Sequence, residues 1–235
     1  MAKTATKFNP KPDVKAVPEA PAQQPETQTL ATTVHPVQAL YDLRAREARD
    51  LPAEEADYHA LEQGEYGTNL RHAAVIKHTR GLSGRVLDLG CGTGLLLDKM
   101  SRANIKPAQY FGVDSSEDRR EPLTTRFEKL GIDGRFLGKP WDMRFEDMEL
   151  PSMDCALLVG VMGFWGYHTQ RHVKSIHGYM HQKASHGCIT FPMIWDSQQM
   201  GDLYLRRWEP TDVLDLLGLK SSSCITLERE FLIVW

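Results

Sequence analysis

The 235-residue sequence lacks most of the signatures that would assign a chemistry at once. Its four cysteines, Cys91, Cys155, Cys188 and Cys224, stand far apart and form no C-x-x-C pair. That excludes a zinc ribbon or a dithiol redox centre and points to a reducing compartment. Cys155 and Cys188 lie in apolar runs and read as small core residues. No apolar run is long enough to span a bilayer, and the longest, around Ala156 to Trp165, suits a buried strand. The first residues lead into prolines and not into an apolar core, so no signal peptide is read and a soluble, cytoplasmic protein without a membrane partner is expected. Neither sign of charge prevails. Lys plus Arg number 28 and Asp plus Glu 31, a net charge of −3 that gives no general pull toward nucleic acid or anionic lipid. No G-K-[S/T] follows a glycine loop, so a P-loop is excluded, and no H-E-x-x-H is present. His168 and His172 are four residues apart, as are His177 and His181. At about 100° per residue the two pairs fall on opposite faces of a helix, and no metal site is assigned.

Proline is plentiful in one place. Six of the thirteen, Pro10, Pro12, Pro18, Pro21, Pro25 and Pro36, fall within the first 36 residues among Ala, Thr, Gln, Lys and Glu. Such a segment buries too little apolar surface to offset its ordering entropy, so residues 1–36 read as a disordered tail. Its lysines, Lys3, Lys7, Lys11 and Lys15, are solubilising or touch an acidic partner, and the tail is a candidate tether. Residues 37–81 read as helices: Pro36 to Ala48, Glu54 to Gln63, and Asn69 to Arg80. In the third, Thr68 is the expected N-cap, Leu70, Ala73, Ala74 and Ile76 the inward face, and Gly81 the end. Residues 82–235 carry the alternation of strands and helices.

What organises that region is Arg85-Val86-Leu87-Asp88-Leu89-Gly90-Cys91-Gly92-Thr93-Gly94-Leu95-Leu96. A short apolar run suits a strand buried on both faces. Three glycines at alternate positions leave no side chains where the backbone turns sharply and a ligand comes close. The apolar set Leu95, Leu96, Leu97 and Met100 then suits a helix. The spacing is G-x-G-x-G, with Leu95 where a dinucleotide loop keeps its third glycine. Asp88, at the strand end, would repel a pyrophosphate but could receive an ammonium group directly or through water. Twenty residues after Gly94, Tyr110-Phe111-Gly112-Val113-Asp114-Ser115 reads as a second strand ending in an acid. That acid either accepts from both ribose hydroxyls of a nucleoside or caps the following helix.

Gly90, Cys91, Gly92 and Gly94 after Asp88 resemble motif I of the class I S-adenosylmethionine-dependent methyltransferases, in the form D-x-G-x-G-x-G. The resemblance spans about residues 55 to 235. It implies a doubly wound α/β fold: a seven-stranded, mostly parallel sheet with helices on both faces and a closing antiparallel hairpin. It implies S-adenosylmethionine as cofactor, with Asp88 at its amino-acid end and Asp114 and Ser115 at its ribose. Helices before motif I would roof the cofactor. After a third strand at Arg135-Phe136-Leu137 the family places an acid at the adenine amino group. Lys139-Pro140 occupies the nearest positions, so Asp142, twelve residues before Asp154, is favoured, with Trp141 or Met143 against the ring. Met153 to Met162 resembles motif IV and brings Val159 and Gly160 to the cleft. Phe164 to His168 follows where the family has its acceptor pocket. A helix from Thr169 to Lys183, a strand from Gly187 to Pro192, a helix from Thr211 to Leu217 and two final strands complete the pattern.

Methyl transfer from a sulfonium is an in-line displacement that needs positioning more than a strong catalytic group. Where the acceptor carries a proton, His168 or Tyr167 is placed to remove it, although His168 also reads as a helix-start residue in solvent. Motif IV contains neither Asn/Asp-Pro-Pro-Tyr/Phe/Trp for exocyclic amines nor Pro-Cys for cytosine C5, and no basic stripe interleaves with aromatics. A small-molecule acceptor therefore ranks first. The alternatives are a nucleic-acid or protein acceptor, or a non-catalytic subunit that keeps the fold. Residues 193–208 are either a substrate-covering lid or a helix on the sheet edge.

Overall fold

A computed structural model of the chain describes residues 43–44, 46–48, 51, 55–57, 64–140, 143–162, 169–193 and 208–235. All lie within the unit Val34–Trp235. The expected tail, residues 194–207 of the 193–208 stretch read as a lid or an edge helix, and most of the first two helices fall outside the described residues, although 43–44, 46–47 and 55–57 are helical.

Seven strands form one sheet: β1 Arg85–Leu89, β2 Gln109–Asp114, β3 Gly134–Gly138, β4 Met153–Leu158, β5 Ala184–Pro192, β6 Cys224–Thr226 and β7 Glu230–Val234. Their order is β3-β2-β1-β4-β5-β7-β6. The first five pair in parallel, while β7 runs antiparallel between β5 and β6. The strand order reverses between β1 and β4, and the carboxyl ends of strands at such a reversal open a crevice for ligand. The longer helices among the described residues are α1 Glu65–His78, α2 Leu95–Arg102, α3 Arg120–Leu130, α4 Gln170–Lys183 and α5 Pro210–Leu217.

Alternation along the strands makes two cores. Leu87, Leu89, Phe111, Val113, Ala156, Leu158, Ile189 and Phe191 face α4 and α5, meeting Val173, Ile176, Met180 and Val213. Val86, Tyr110, Cys155, Leu157 and Cys188 face α1, α2 and α3, meeting Val75, Leu97, Met100, Leu123 and Phe127. Burial on both sides explains why the central strands read as apolar runs and not as alternating ones. Local signals set the element ends. Thr169 caps α4, its hydroxyl accepting from the His172 amide at 3.2 Å. Gly131 and Gly218 close α3 and α5 in the left-handed region that glycine adopts without strain.

Two expectations need correction. Helix α1 begins at Glu65 with Gly64 as its N-cap, and Thr68 lies buried inside it. Its inward face is Thr68, Arg71, His72, Ala74 and Val75, so Ala74 is buried as expected and Ile76 is half-buried, whereas Leu70 is 37% exposed and Ala73 faces solvent. The reason is an ion pair: Arg71 donates through Nε to Glu230 of β7 at 2.5 Å, which turns a polar stripe toward the sheet. Strand β5 also starts at Ala184, three residues before Gly187, because α4 runs into it without a loop.

Candidate active site

The glycine loop has the geometry its sequence requires. Gly90, Gly92 and Gly94 have φ values of +77°, +53° and +83°, all in the left-handed region that other residues enter only at a cost. The loop is fastened to the end of β2. The amides of Gly90 and Cys91 donate to the Val113 carbonyl at 2.7 and 3.1 Å, and the Gly92 amide donates to Asp114 Oδ2 at 2.9 Å. Space for this close approach comes from Gly112, where an added Cβ would lie 2.8 Å from the Cys91 sulfur. Gly94 then serves as N-cap of α2, whose buried Leu95, Leu96, Leu97 and Met100 anchor the helix beneath the loop.

Asp114 sits half-buried at the tip of β2. Its Oδ1 accepts from the Ser116 amide at 3.0 Å while Oδ2 holds Gly92. Each carboxylate oxygen keeps a further lone pair, so the group can order the loop and still accept from two adjacent hydroxyls. Ser115 is half-buried beside it. Asp88 is placed otherwise. It is 2% exposed and accepts a hydrogen bond from the Tyr110 hydroxyl below the loop. Burial pushes its carboxyl up to about 7, with the Asp114 charge adding to the rise and the Tyr110 hydroxyl opposing it. It lies beneath the loop, with no open face for direct contact with an ammonium group. Burial likewise raises the Cys91 thiol well above its ordinary range, so this cysteine is a packing group and not a nucleophile.

Across the crevice, Val159, Gly160 and Val161 follow β4. Gly160 adopts φ +74° and its amide donates to the Thr190 hydroxyl on β5 at 2.7 Å. An added Cβ at Gly90 would collide with Val161 Cγ2, so the tips of β1 and β4 close on one another there. At the third wall Lys139 is buried. Its amide donates to the Asp114 carbonyl at 2.8 Å, its ammonium donates to the carbonyls of Pro140 and Met143, and Phe145 lies 5.2 Å from the ammonium. The Lys139 ammonium thus ties together the backbone at Pro140 and Met143. Trp141, Asp142, Tyr167 and His168 lie outside the described residues. The Nε2 atoms of His177 and His181 lie 3.1 Å apart, and the two rings meet edge-on. Among the described residues no group of three or more His, Cys, Asp or Glu could hold a metal, and no helix is long and apolar enough to cross a membrane.

Sequence reasoning missed Thr93, Asp57 and Arg126. The Thr93 hydroxyl donates to Asp57 Oδ1 at 2.6 Å, and Arg126 donates to both the Thr93 carbonyl and Asp57 Oδ2. These residues are 33 to 69 positions apart, and no local spacing connects them.

Residues 86–182 match the family described as "Methyltransferase domain". Over that stretch the chain is a methyltransferase domain, and the methyl donor of that family is S-adenosylmethionine. No curated protein matches it in sequence. Among solved structures it resembles the pyocyanin biosynthetic protein PhzM, with a TM-score of 0.56 at 16% identity over 81% of this chain and 60% of that one. The mitomycin 7-O-methyltransferase MmcR gives 0.53 at 15% identity, over 83% and 59% of the two chains. A methyltransferase solved with the Haloferax volcanii Trm112 methyltransferase activator gives 0.51 at 16% identity, over 80% and 77%. The chain thus spans about 60% of the length of PhzM. At these identities the likeness is one of fold.

Proposed function

We propose that the chain is an enzyme that transfers a methyl group from S-adenosylmethionine to a small-molecule acceptor by in-line displacement. The observation that carries this reading is the loop of three left-handed glycines closed onto Asp114 through the Gly92 amide. S-adenosylmethionine suits that site by its chemistry. A side-chain-free loop admits the donor's amino-acid end, and Asp114 has acceptor capacity left for both ribose hydroxyls. Val159 and Val161 offer apolar surface beside them, and we assign the adenine edge to Asp142 with Trp141. When bound, the sulfonium supplies an electrophilic methyl group on an excellent leaving group.

The protein's own part is to hold, orient and dry. When ionised, Asp88 lowers the potential beneath the loop, and a cation bound above it would in turn favour that ionised form. The acceptor is assigned to the segment after β4, where Tyr167 and His168 are the proposed proton acceptors. Similarity of fold to PhzM and MmcR supports a small-molecule acceptor, because both are named for small-molecule chemistry. The neighbour solved with an activator protein supports a second reading, in which a partner chain joins the domain and the acceptor is a macromolecule.

One assay tests both. The purified chain is incubated with methyl-labelled S-adenosylmethionine and separate metabolite, nucleic-acid and protein fractions. We expect label in the metabolite fraction. Label only in RNA or protein would replace the acceptor, and binding without transfer to any fraction would overturn the enzymatic reading.

A further inference from the structure

We infer that Asp57 is a positioning residue for the donor loop, acting through Thr93 and Arg126, and that donor binding and docking of the segment carrying Asp57 are one linked equilibrium. The inference rests on the S-adenosylmethionine reading and goes beyond it, because Asp57 lies outside the residues that would touch the donor.

The geometry is specific. Thr93 sits between Gly92 and Gly94, both left-handed. On one side the loop is held by the Gly92 amide on Asp114. On the other the Arg126 guanidinium takes the Thr93 carbonyl while its second nitrogen reaches Asp57 Oδ2. The other carboxylate oxygen of Asp57 accepts the Thr93 hydroxyl at 2.6 Å. Asp57 is 6% exposed and Thr93 4%. Three elements distant in sequence therefore meet on one residue of the loop: the helical turn at 55–57, the loop itself, and α3, which follows the strand bearing Asp114.

A buried carboxylate is retained only where partners offset its desolvation, and here it has two. Removing it leaves the Arg126 guanidinium, whose side chain is 14% exposed, with Asp98 at 3.8 Å as its remaining carboxylate contact among the described residues. The Thr93 carbonyl then loses a fixed donor, and the loop gains conformations in which the Gly92 amide no longer faces Asp114. Affinity falls in proportion to the fraction of molecules holding the competent loop. By reciprocity, a donor that selects that loop strengthens the hold on Asp57.

The test measures S-adenosylmethionine dissociation constants by calorimetry for the full chain and for Asp57→Ala, Asp57→Asn, Thr93→Val and Thr93→Ser. Hydrogen exchange of peptides containing Asp57 is followed with and without the donor. We expect Asp57→Ala to weaken binding by about tenfold and to abolish donor-induced protection of those peptides. Thr93→Val should fall between that variant and the parent, and Thr93→Ser, which keeps the hydroxyl, should match the parent. A variant with a lowered melting temperature but an unchanged dissociation constant and unchanged protection would overturn the inference and leave the donor reading intact. Failure of the parent chain to bind S-adenosylmethionine would overturn the donor reading itself. Should Asp57→Ala not fold, Asp57→Asn and Thr93→Val carry the same comparison.

Discussion

The two faces of the sheet are built by opposite rules. Toward α4 and α5 the interior is almost wholly apolar, with Leu87, Leu89, Phe111, Val113, Leu158, Ile189 and Phe191 closing on Val173, Ile176 and Met180. Toward α1, α2 and α3 the same sheet buries Asp88 on Tyr110 and Arg71 on Glu230, and His72 is buried as well. The Asp57–Thr93–Arg126 group lies at the donor loop above that side. Apolar burial can supply stability without directional partners, whereas each buried polar group must be matched or it costs about 1–3 kcal/mol. A face that keeps several such groups gains defined loop geometry from them. The difference assigns roles: α4 and α5 hold the fold, and α1 to α3 hold the site.

The largest effect expected lies on the apolar face. Phe191 is fully buried, stacked on Phe231 at 5.0 Å between ring centroids and met edge-on by Trp208 at 5.9 Å. Phe191→Ala should cost about 3–5 kcal/mol of unfolding free energy in urea titration while donor affinity of the folded protein stays within about twofold. A large loss of affinity at native stability would erase the division between the faces. Asp114→Ala should do the reverse. Two hydroxyl contacts to a charged acceptor are worth enough together that affinity for S-adenosylmethionine should drop about a hundredfold by calorimetry, with the melting temperature shifted only slightly. Unchanged affinity would remove Asp114 from the ribose site.

The same contrast explains which features the sequence makes legible. The strands, the glycine loop and Asp114 can be read because each is local: apolar runs, a G-x-G-x-G turn, and an acid at a fixed offset. The seven-stranded, mostly parallel sheet with its closing antiparallel hairpin follows from the resemblance of that unit. The inward face of helix α1 departs from its apolar pattern because it includes Arg71, whose partner Glu230 is 159 positions away. Apolar periodicity carries no trace of a buried ion pair. The hold on Thr93 is invisible in the sequence for the same reason. Asp88 is legible as an acid at the end of β1, but only the packing of Tyr110 on the neighbouring strand shows that its carboxyl points beneath the loop. Polar contacts over long sequence separations are the part of a site that spacing does not encode.

A smaller effect should appear in the pH dependence of stability. The Asp88 carboxyl is raised by burial from 3.8 to about 7 in the folded chain, so folding favours its protonated form. The stability from that preference is complete below pH 3.8, declines as pH rises toward 7, and is absent above it. Asp88→Asn keeps an acceptor for Tyr110 and removes the charge. Its melting temperature relative to the parent should therefore climb by a few degrees between about pH 4 and 7 and then level off. Melting curves that run parallel across that range would show Asp88 to be no more costly in its charged form than an exposed acid.

The smallest effect tests whether burial, and not charge as such, gives the polar face its character. Arg120 and Glu117 form an ion pair at 2.8 Å on the same side of the sheet, but their side chains are 51% and 64% exposed. The Arg120 guanidinium also lies 4.6 Å over the Phe136 ring. In water the pair is screened and its side-chain entropy offsets much of the attraction, so Arg120→Ala should cost less than about 1 kcal/mol. What remains should come mostly from the aromatic contact and should persist at high salt. A double-mutant cycle with Glu117→Ala measures the charge contribution alone, expected below about 0.5 kcal/mol. A coupling near that of a buried pair would mean that the exposed and buried charges of α3 act as one network. The contrast between faces would then be one of charge content, and the hold of Arg126 on the donor loop would extend along the whole helix.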